Sequence, residues 1–373
     1  MSRDKEGLLD WFSQRLNLTE IFSLLTSYGL FYAELDSRKP LREALAEARE
    51  QPLPSYARWP RVLGLIAVVL LAIEILTGML LALYYLPTPQ TAHASLGAIL
   101  RDVDFGWLIH QVHFWGAQLL IAVLILRIVR FFVQGIYRAP RELIWVVAAL
   151  LLLVCFHLDL TGRALPMTSQ AYWSSVRALE IVSAVPIYGN LILFLAGGGG
   201  AAITDLTLIR FYVMHVAVLP LLAVTFIYLH FSGIRRIGLA ETGGEASYSG
   251  KRAVRMHLLN MAILLTVIFG LLVSLAVLAA VPFQGKADPY STVPGVQPPW
   301  YLLAPFGFLE WTSGFLPGWV AGLFLFIAFM AFLALPFIDR SQPESRGRMA
   351  TLLVAALVLV AWVFFTIYGA RVA

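Results

Sequence analysis

Long apolar segments, separated by polar stretches, dominate the chain from about residue 60 to its end. Seven of them are long enough to cross the hydrocarbon core of a bilayer, which takes about 20 helical residues. These predicted spans 1 to 7 lie near 60–86, 107–135, 142–160, 209–234, 256–281, 317–337 and 349–369. The pattern predicts an all-α integral membrane protein with seven transmembrane helices.

The N-terminal region is more polar. Apolar residues between 7 and 25 are too interrupted by polar ones to span a membrane, which favours an amphipathic helix lying on its surface. Residues 36–52 follow as a charged, helical linker with a solvated face. The first residues are charged, and no short apolar stretch precedes a small-residue cleavage site, so we predict no removable signal peptide.

Two connections are much longer than the others. Residues 161–208 join spans 3 and 4, and residues 282–316, rich in proline and aromatic residues, join spans 5 and 6. Seven consecutive spans place these two loops on the same side of the membrane. Long loops with apolar content more often have a function than serve as disordered linkers, so we expect the two to fold over a shared site.

Composition and charge sharpen this picture. Hydrophobic residues make up 60% of the chain and charged residues 13%. This composition excludes an ordinary soluble domain. Of the 27 lysines and arginines, 21 lie in the N-terminal region and around the loops after spans 2, 4 and 6. The positive-inside rule therefore predicts a cytoplasmic-membrane protein with its N-terminus in the cytoplasm and its C-terminus in the periplasm. The net charge of +5 follows from this topology, and we expect no nucleic-acid partner.

Histidines within the spans are the candidate chemistry. Span 4 carries His215 and His230, which fifteen residues of helix separate by about 22 Å. Span 2 runs in the same direction and carries His113 at the depth of His215. Two imidazoles on adjacent helices are the axial pair of a b-type haem, which needs no cysteine. Gly64 and Gly78 on span 1 would let a flat macrocycle approach the backbone. The single Cys155 leaves no motif for attaching a c-type haem.

Together with several short motifs, these residues resemble the cytochrome b family, the haem-bearing core of bc-type and b6f-type quinol:cytochrome c oxidoreductases. The resemblance covers about residues 55–370 and also the Leu9-Asp-Trp-Phe segment of the predicted surface helix. The motifs are Gly106-Trp107, His113, Arg130, Pro140-Arg-Glu-Leu-Ile-Trp145, Thr161-Gly162, Leu165-Pro166, Tyr172-Trp173, Arg210-Phe211-Tyr212, His215, Pro220, His230, Pro298-Pro-Trp-Tyr301 and Pro336-Phe-Ile-Asp339. They are similar to a cytochrome b6 half fused to a three-helix, subunit-IV-like half.

The resemblance implies four segments along the chain. These are a cytoplasmic amphipathic helix and linker (1–58), a four-helix haem-binding domain (59–236), a cytoplasmic linker (237–254) and a three-helix domain (255–373). It also implies haem b, a quinone substrate, surrounding lipid, a Rieske iron–sulfur protein and a c-type cytochrome. A homodimer or a paralogous cytochrome b is a further expected partner.

Residue roles carry over from the same resemblance. His113 and His215 match the ligands of the outer haem, and His230 matches one ligand of the inner haem. Gly162 and Arg130 match further cofactor contacts, and His110 stands where the family places an arginine near the outer haem's propionates. Trp300 and Tyr301 match the motif of the outer quinol site.

Arg127 departs from the family at the inner haem. It stands fourteen residues after His113, where a second histidine ligand belongs. A guanidinium is protonated and has no free lone pair, so it cannot bind iron. Ala148 also replaces a glycine near this haem. The inner haem is therefore absent, five-coordinate through His230, or ligated from another chain. Alternatively, Arg127 extends toward the cytoplasmic interface beside a propionate.

Pro299 departs from the family at the outer quinol site, where a glutamate is thought to accept a quinol proton. Proline cannot accept one. Candidate replacement bases on the outer side are Glu74, Asp159, His157 and Glu310. An unpaired carboxylate in a span costs about 2.5–3.5 kcal/mol, so Glu74 and Asp159 are expected to have partners, and depth favours His110 and His157. Each of these groups could equally be a paired structural polar group between helices.

Two functions remain open at this point. One is a haem-b electron-transfer subunit of a quinol oxidoreductase with an altered or missing inner haem. The other is a largely structural scaffold, or a non-bifurcating paralogue of cytochrome b, in a larger respiratory or photosynthetic complex. His113 and His215 favour the first, whereas Arg127 and Pro299 favour the second.

Overall fold

A computed structural model describes residues 38–48, 63–197, 200–237, 251–341 and 345–373. Within these ranges seven helices are long and apolar enough to cross a membrane, which confirms the predicted number. Spans 1 to 7 are Leu63–Ala82, Gly106–Val133, Glu142–Ala164, Asp205–Ile234, Leu258–Leu278, Gly318–Ile338 and Arg346–Val372. We call the face that carries the two long loops the loop side, and the other face the opposite side.

The predicted amphipathic helix at 7–25 lies outside the described residues. Of the predicted linker helix at 36–52, the structure describes the helix Leu41–Ala48. Lys39, just before this helix, forms an ion pair with Glu47 near its end. The protein is all-α in the described residues apart from one isolated bridge between Thr168 and Lys286. The predicted fold class is therefore confirmed.

Spans 1 to 4 form the bundle that holds the candidate site. Span 1 packs along span 2, and span 3 packs along span 4. Their shared core buries large aliphatic side chains such as Leu70, Ile121 and Leu124, and Cys155 lies among them as a small buried residue. Because lipid is as apolar as these side chains, the bundle depends on close packing rather than on exclusion of water.

A π-helical segment, Met214–Val218, interrupts span 4 and contains His215. Pro220 follows shortly after and has no backbone N–H, so the regular hydrogen bond to the preceding turn cannot form there. The wider π-helical turn accommodates the hydrogen bond that Pro220 cannot make. The segment turns His215 relative to a regular helix, which the spacing of apolar residues did not predict.

The two long loops contact each other, as predicted. The Ser169 N–H donates to the Gly285 carbonyl over 2.9 Å, and the Ala287 N–H donates to the Met167 carbonyl over 2.9 Å. Helices that the sequence did not predict build the loop side; they are Ala92–Asp102, Ser169–Ser183, Tyr188–Ala196 and Leu303–Thr312. Together they form a lid over the bundle of spans 1 to 4.

A buried polar cluster on the opposite side joins spans 2, 6 and 7. Asp339 accepts a hydrogen bond from Tyr137 and lies 3.6 Å from the Arg348 guanidinium. Arg348, 5% exposed, also donates to the carbonyls of Phe132 and Val133 at the end of span 2, over 2.6 and 2.9 Å. Cations at a helix C-terminus satisfy its free carbonyls. The cluster therefore fastens the last two spans to the four-helix bundle.

We expect Asp339→Asn to cost about 3 kcal/mol of stability, because it leaves Arg348 buried without its carboxylate. Burial alone would raise the pKa of Asp339, but hydrogen bonds from Ser341 and Tyr137 outweigh it and hold the pKa at about 2. A lowered pKa means stability that is present above pH ~4 and is lost as the pH falls toward 2. Thermal unfolding in detergent at pH 7 and pH 3 should show a larger acid-induced decrease in Tm for the wild type than for this variant. Equal decreases would contradict the assignment.

Candidate functional site

A cavity of about 740 Å³ lies within spans 1 to 4, beneath the two long loops. Residues from all four spans and from both loops line it. Those singled out from the sequence are Glu74, Gly78, His110, His113, Asp159, Gly162, His215, Pro299 and Trp300. The fold thus brings together most of the predicted loop-side residues in one space.

His113 and His215 face each other across this cavity. Their ring centroids are 6.0 Å apart, and the ring planes meet at 84°. Two metal–nitrogen bonds of about 2 Å each, together with the distance from each ring centre to its nitrogen, add up to a separation of this size. The spacing therefore fits one metal atom between two imidazoles.

Hydrogen bonds fix the Nδ1 atom of both rings. His113 Nδ1 lies 2.9 Å from Thr77 Oγ1 and 3.1 Å from Glu74 Oε2. His215 Nδ1 lies 3.0 Å from the Leu158 carbonyl, which can only accept, so Nδ1 of that ring is the donor. In the part of the chain that the structure describes, neither Nε2 has a hydrogen-bond partner. An anchored Nδ1 and a free Nε2 are typical of histidines that bind metal, so this pair fits a haem.

Gly78 and Gly162 lie against the two imidazoles. A Cβ added at Gly78 would lie 3.1 Å from His113 Cε1, and one added at Gly162 would lie 2.5 Å from His215 Cε1. Each glycine therefore makes room for a histidine ring on the neighbouring helix.

The opposite-side position has a different arrangement. Arg127 Nη2 lies 2.5 Å from His230 Nε2, and His230 Nδ1 lies 3.2 Å from the Ile144 carbonyl. Since Nδ1 donates to that carbonyl, the Nε2 lone pair accepts from the guanidinium. A Cβ at Gly64 would overlap Arg127 Nη1, so the guanidinium fills the space beside this glycine. The Nε2 lone pair of His230 is engaged, and no second imidazole faces it among the described side chains, so these residues do not fit a bis-histidine haem.

Arg130, the other arginine predicted to contact a cofactor, lies one turn beyond Arg127 on span 2. Its Nε donates to Gln134 Oε1 over 3.0 Å on the same helix. It does not line the described cavity. Arg130 therefore lies with Arg127 at the opposite-side end of span 2.

Asp159 forms the centre of a polar network in the cavity wall. Arg163 donates to both carboxylate oxygens, over 2.8 and 3.1 Å. Gln118 donates to Oδ1 over 2.7 Å, and the Tyr301 hydroxyl donates to Oδ2 over 2.8 Å. Trp300 Nε1 completes the network by donating to Gln118 Oε1 over 3.0 Å. The network connects spans 2 and 3 to the loop motif that contains Pro299.

Tyr301 is held as a hydrogen-bond donor in this network. It is buried and stacks on Phe156, with ring centroids 4.4 Å apart. Burial, reinforced by the charge of Asp159, raises the pKa of Tyr301 well above its usual value. Its hydroxyl therefore stays protonated and can donate to the carboxylate.

Glu74 and Asp159 both have partners, as expected, but these are not the histidines that depth favoured, His110 and His157. Glu74 lies 3.1 Å from His113, and Asp159 pairs with Arg163. Depth gives the height of a residue in the membrane, but the helix face on which it lies decides its neighbour. Glu310 lies exposed on the helix Leu303–Thr312, away from the cavity lining.

His157 and His110 have separate surroundings. His157 Nε2 accepts a hydrogen bond from the Tyr188 hydroxyl over 2.6 Å, while Nδ1 donates to the Leu153 carbonyl over 2.7 Å. Burial raises the pKa of Tyr188, so it remains the donor. His157 does not line the cavity, whereas His110 does, and His110 Nδ1 is buried without a hydrogen-bond partner in the described residues.

Several site residues were missed in the sequence. Arg163 could have been predicted from the sequence, because it follows Asp159 by four residues and so lies on the same helix face. No sequence pattern points to Thr77, Gln118 or Tyr188, because their contacts depend on how neighbouring helices are rotated. These residues supply hydrogen bonds to the predicted ones rather than chemistry of their own.

Comparison with known proteins agrees with this architecture. The family model "Cytochrome b/b6/petB" matches residues 49–238, and "Cytochrome b(C-terminal)/b6/petD" matches residues 286–373. Cytochrome b6 of Heliobacterium modesticaldum is 35% identical over 209 residues, which are 56% of this chain and 98% of that protein. Cytochrome b6 of Gloeobacter violaceus is 32% identical over 232 residues, 62% of this chain and 96% of that protein.

A solved structure extends the likeness to nearly the whole chain. It is described as "Hyperthermophilic respiratory Complex III", with a TM-score of 0.72 and 25% sequence identity. The match covers 97% of this chain and 91% of that one.

Seven spans define a multi-pass membrane protein, and its first four spans enclose a cavity between two facing histidines. The chain belongs to the cytochrome b/b6 family, with both the b6-type part and the petD-type part present. It is accordingly a cytochrome b electron-transfer subunit of the kind that serves quinol-oxidising cytochrome bc complexes.

Proposed function

We propose that this chain is the haem-b subunit of a quinol:cytochrome c oxidoreductase that carries one haem, at His113 and His215, and oxidises quinol in the same cavity, beside Asp159. The observation that carries the proposal is the histidine pair, with rings 6.0 Å apart and both Nδ1 atoms anchored. A Rieske protein and a c-type cytochrome are the proposed acceptors. The long loops would face the periplasm, following the distribution of lysine and arginine.

The residues around the histidine pair would hold and orient the haem. His113 and His215 would bind iron through Nε2, and Gly78 and Gly162 keep their rings against the backbone. His110 offers a buried, unpaired Nδ1 in the cavity wall, suited to a propionate when that atom carries a proton. The bound haem would supply one-electron transfer.

Asp159 would serve the carboxylate role for which Pro299 is unsuited. It lines the cavity, and Arg163 balances its charge there. A quinol hydroxyl can replace a neutral donor, Gln118 or Tyr301, at the carboxylate and pass its proton to that oxygen. Trp300 and Tyr301 would fix the loop that closes over the substrate. His157, held by Tyr188 outside the cavity lining, would then have a structural role.

The contact between Arg127 and His230 favours a non-bifurcating enzyme. Quinol oxidation releases two electrons, and bifurcation needs a second haem to carry one of them across the membrane. Because the opposite-side position does not fit a bis-histidine haem, both electrons would leave on the loop side, or a paralogous cytochrome b would complete the path.

Anaerobic addition of a quinol to the oxidised, purified complex tests the proposal against the scaffold alternative. We expect the quinol to reduce haem b, seen in the reduced-minus-oxidised spectrum. A complex without haem b, or one whose haem a quinol leaves oxidised, would favour the scaffold.

A further inference from the structure

We propose that Glu74 is a positioning residue that lowers the redox potential of the loop-side haem through His113. The inference rests on the proposed haem ligation. Glu74 is 9% exposed, and its Oε2 lies 3.1 Å from His113 Nδ1.

The space beside Gly116 on span 2 holds the carboxyl group of Glu74 in place. His113 and Gly116 are three residues apart and share one face of that helix. The second oxygen of Glu74, Oε1, lies where a Cβ at Gly116 would be and has no hydrogen-bond partner in the described residues. Only a residue without a side chain leaves this space, so Gly116 allows the carboxyl group to reach His113.

The carboxyl group bears on the iron through the imidazole. Thr77 donates its hydroxyl proton to the Ile73 carbonyl over 2.7 Å, so its oxygen accepts the hydrogen bond from His113 Nδ1, and Glu74 Oε2 lies 3.1 Å from the same nitrogen. A carboxylate beside Nδ1 of a ligand histidine makes the imidazole a stronger donor to the metal, which favours the oxidised state. Glutamine would supply a weaker, uncharged acceptor.

Asp159 lines the same cavity and provides a matched comparison. Its charge is balanced by Arg163 at 2.8 Å, and it has no contact with His113 or His215 among the described hydrogen bonds. Asp159→Asn therefore tests a general field effect, whereas Glu74→Gln tests the contact of the carboxyl group with His113.

Potentiometric titration of the haem in the whole complex is the experiment, with Glu74→Gln, Gly116→Ala and Asp159→Asn as variants. We expect Glu74→Gln to shift the midpoint to a more positive value and to raise the equilibrium constant for reduction about tenfold. Gly116→Ala should shift it in the same direction, because the added methyl pushes the carboxyl group from His113. Asp159→Asn should shift it much less. The low-temperature EPR spectrum of the oxidised haem should change in the first two variants only.

Two outcomes separate the inference from the proposed function. A wild-type complex without haem would overturn the proposed function. A haem whose midpoint and EPR spectrum are the same in the wild type and Gly116→Ala, or a shift equally large in Asp159→Asn, would overturn the role of Glu74 alone. If Glu74→Gln fails to retain haem, the midpoint of Gly116→Ala, which keeps the carboxyl group, still tests the role of Glu74.

Discussion

Replacing His113 by alanine should abolish haem b binding, whereas replacing His230 by alanine should leave the haem content unchanged. The first change removes one of two imidazoles whose rings lie 6.0 Å apart. The second removes a side chain whose Nε2 accepts from Arg127 at 2.5 Å and so has no lone pair to give to iron. Haem b per polypeptide, from the pyridine haemochrome of each purified complex, measures the difference.

His215→Ala is the companion to the first variant and should also lose the haem. Loss of half the wild-type haem in His230→Ala would show that the opposite-side position binds haem after all. Haem retained in His113→Ala would place the cofactor elsewhere in the bundle.

Asp159→Asn should lower the rate of quinol oxidation about 100-fold while the haem content stays at the wild-type value. The substitution keeps the shape of the side chain but removes the carboxylate proposed to accept the quinol proton. Quinol:cytochrome c reductase activity, divided by haem content, gives the measurement. Normalising to haem distinguishes lost chemistry from a bundle that fails to assemble with Arg163 unpaired.

His157→Gln is the matched control for Asp159→Asn. His157 is two residues away on the same span, yet it contacts Tyr188 and lies outside the cavity lining. We expect its activity to stay within a few-fold of the wild type. An inactive His157→Gln beside an active Asp159→Asn would move the proton acceptor to the pair of His157 and Tyr188.

The sequence predicts the spans and the depth of each histidine because both depend on local properties. Length and hydropathy define a span, and 1.5 Å of rise per residue places His113 and His215 at one level. The structure adds which face of each helix carries a residue. That face pairs Glu74 with His113 and Asp159 with Arg163, where depth alone favoured other histidines.

Two further features lay beyond the sequence pattern. The π-helical turn around His215 arises from Pro220, whose missing N–H is visible in the sequence but whose effect depends on how span 4 packs. The helices of the loop side are too short or too polar to stand out as spans, so hydropathy did not predict them. Their hydrogen bonds are long-range, such as the one between Ser174 Oγ and the Gln297 carbonyl.

Arg127 shows how sequence and structure contribute separately. The residue type alone excludes it as an iron ligand. The structure places its guanidinium on His230 and beside Gly64, so it engages the remaining ligand and fills the adjoining space as well. A ligand supplied by another chain would therefore have to displace Arg127 first.

The number of haems in the wild-type complex tests this account most directly. Haem b is determined per polypeptide from the pyridine haemochrome, and the same sample is titrated potentiometrically. We predict one haem per chain and a single reduction wave. Two haems per chain with two separate midpoints would contradict the account.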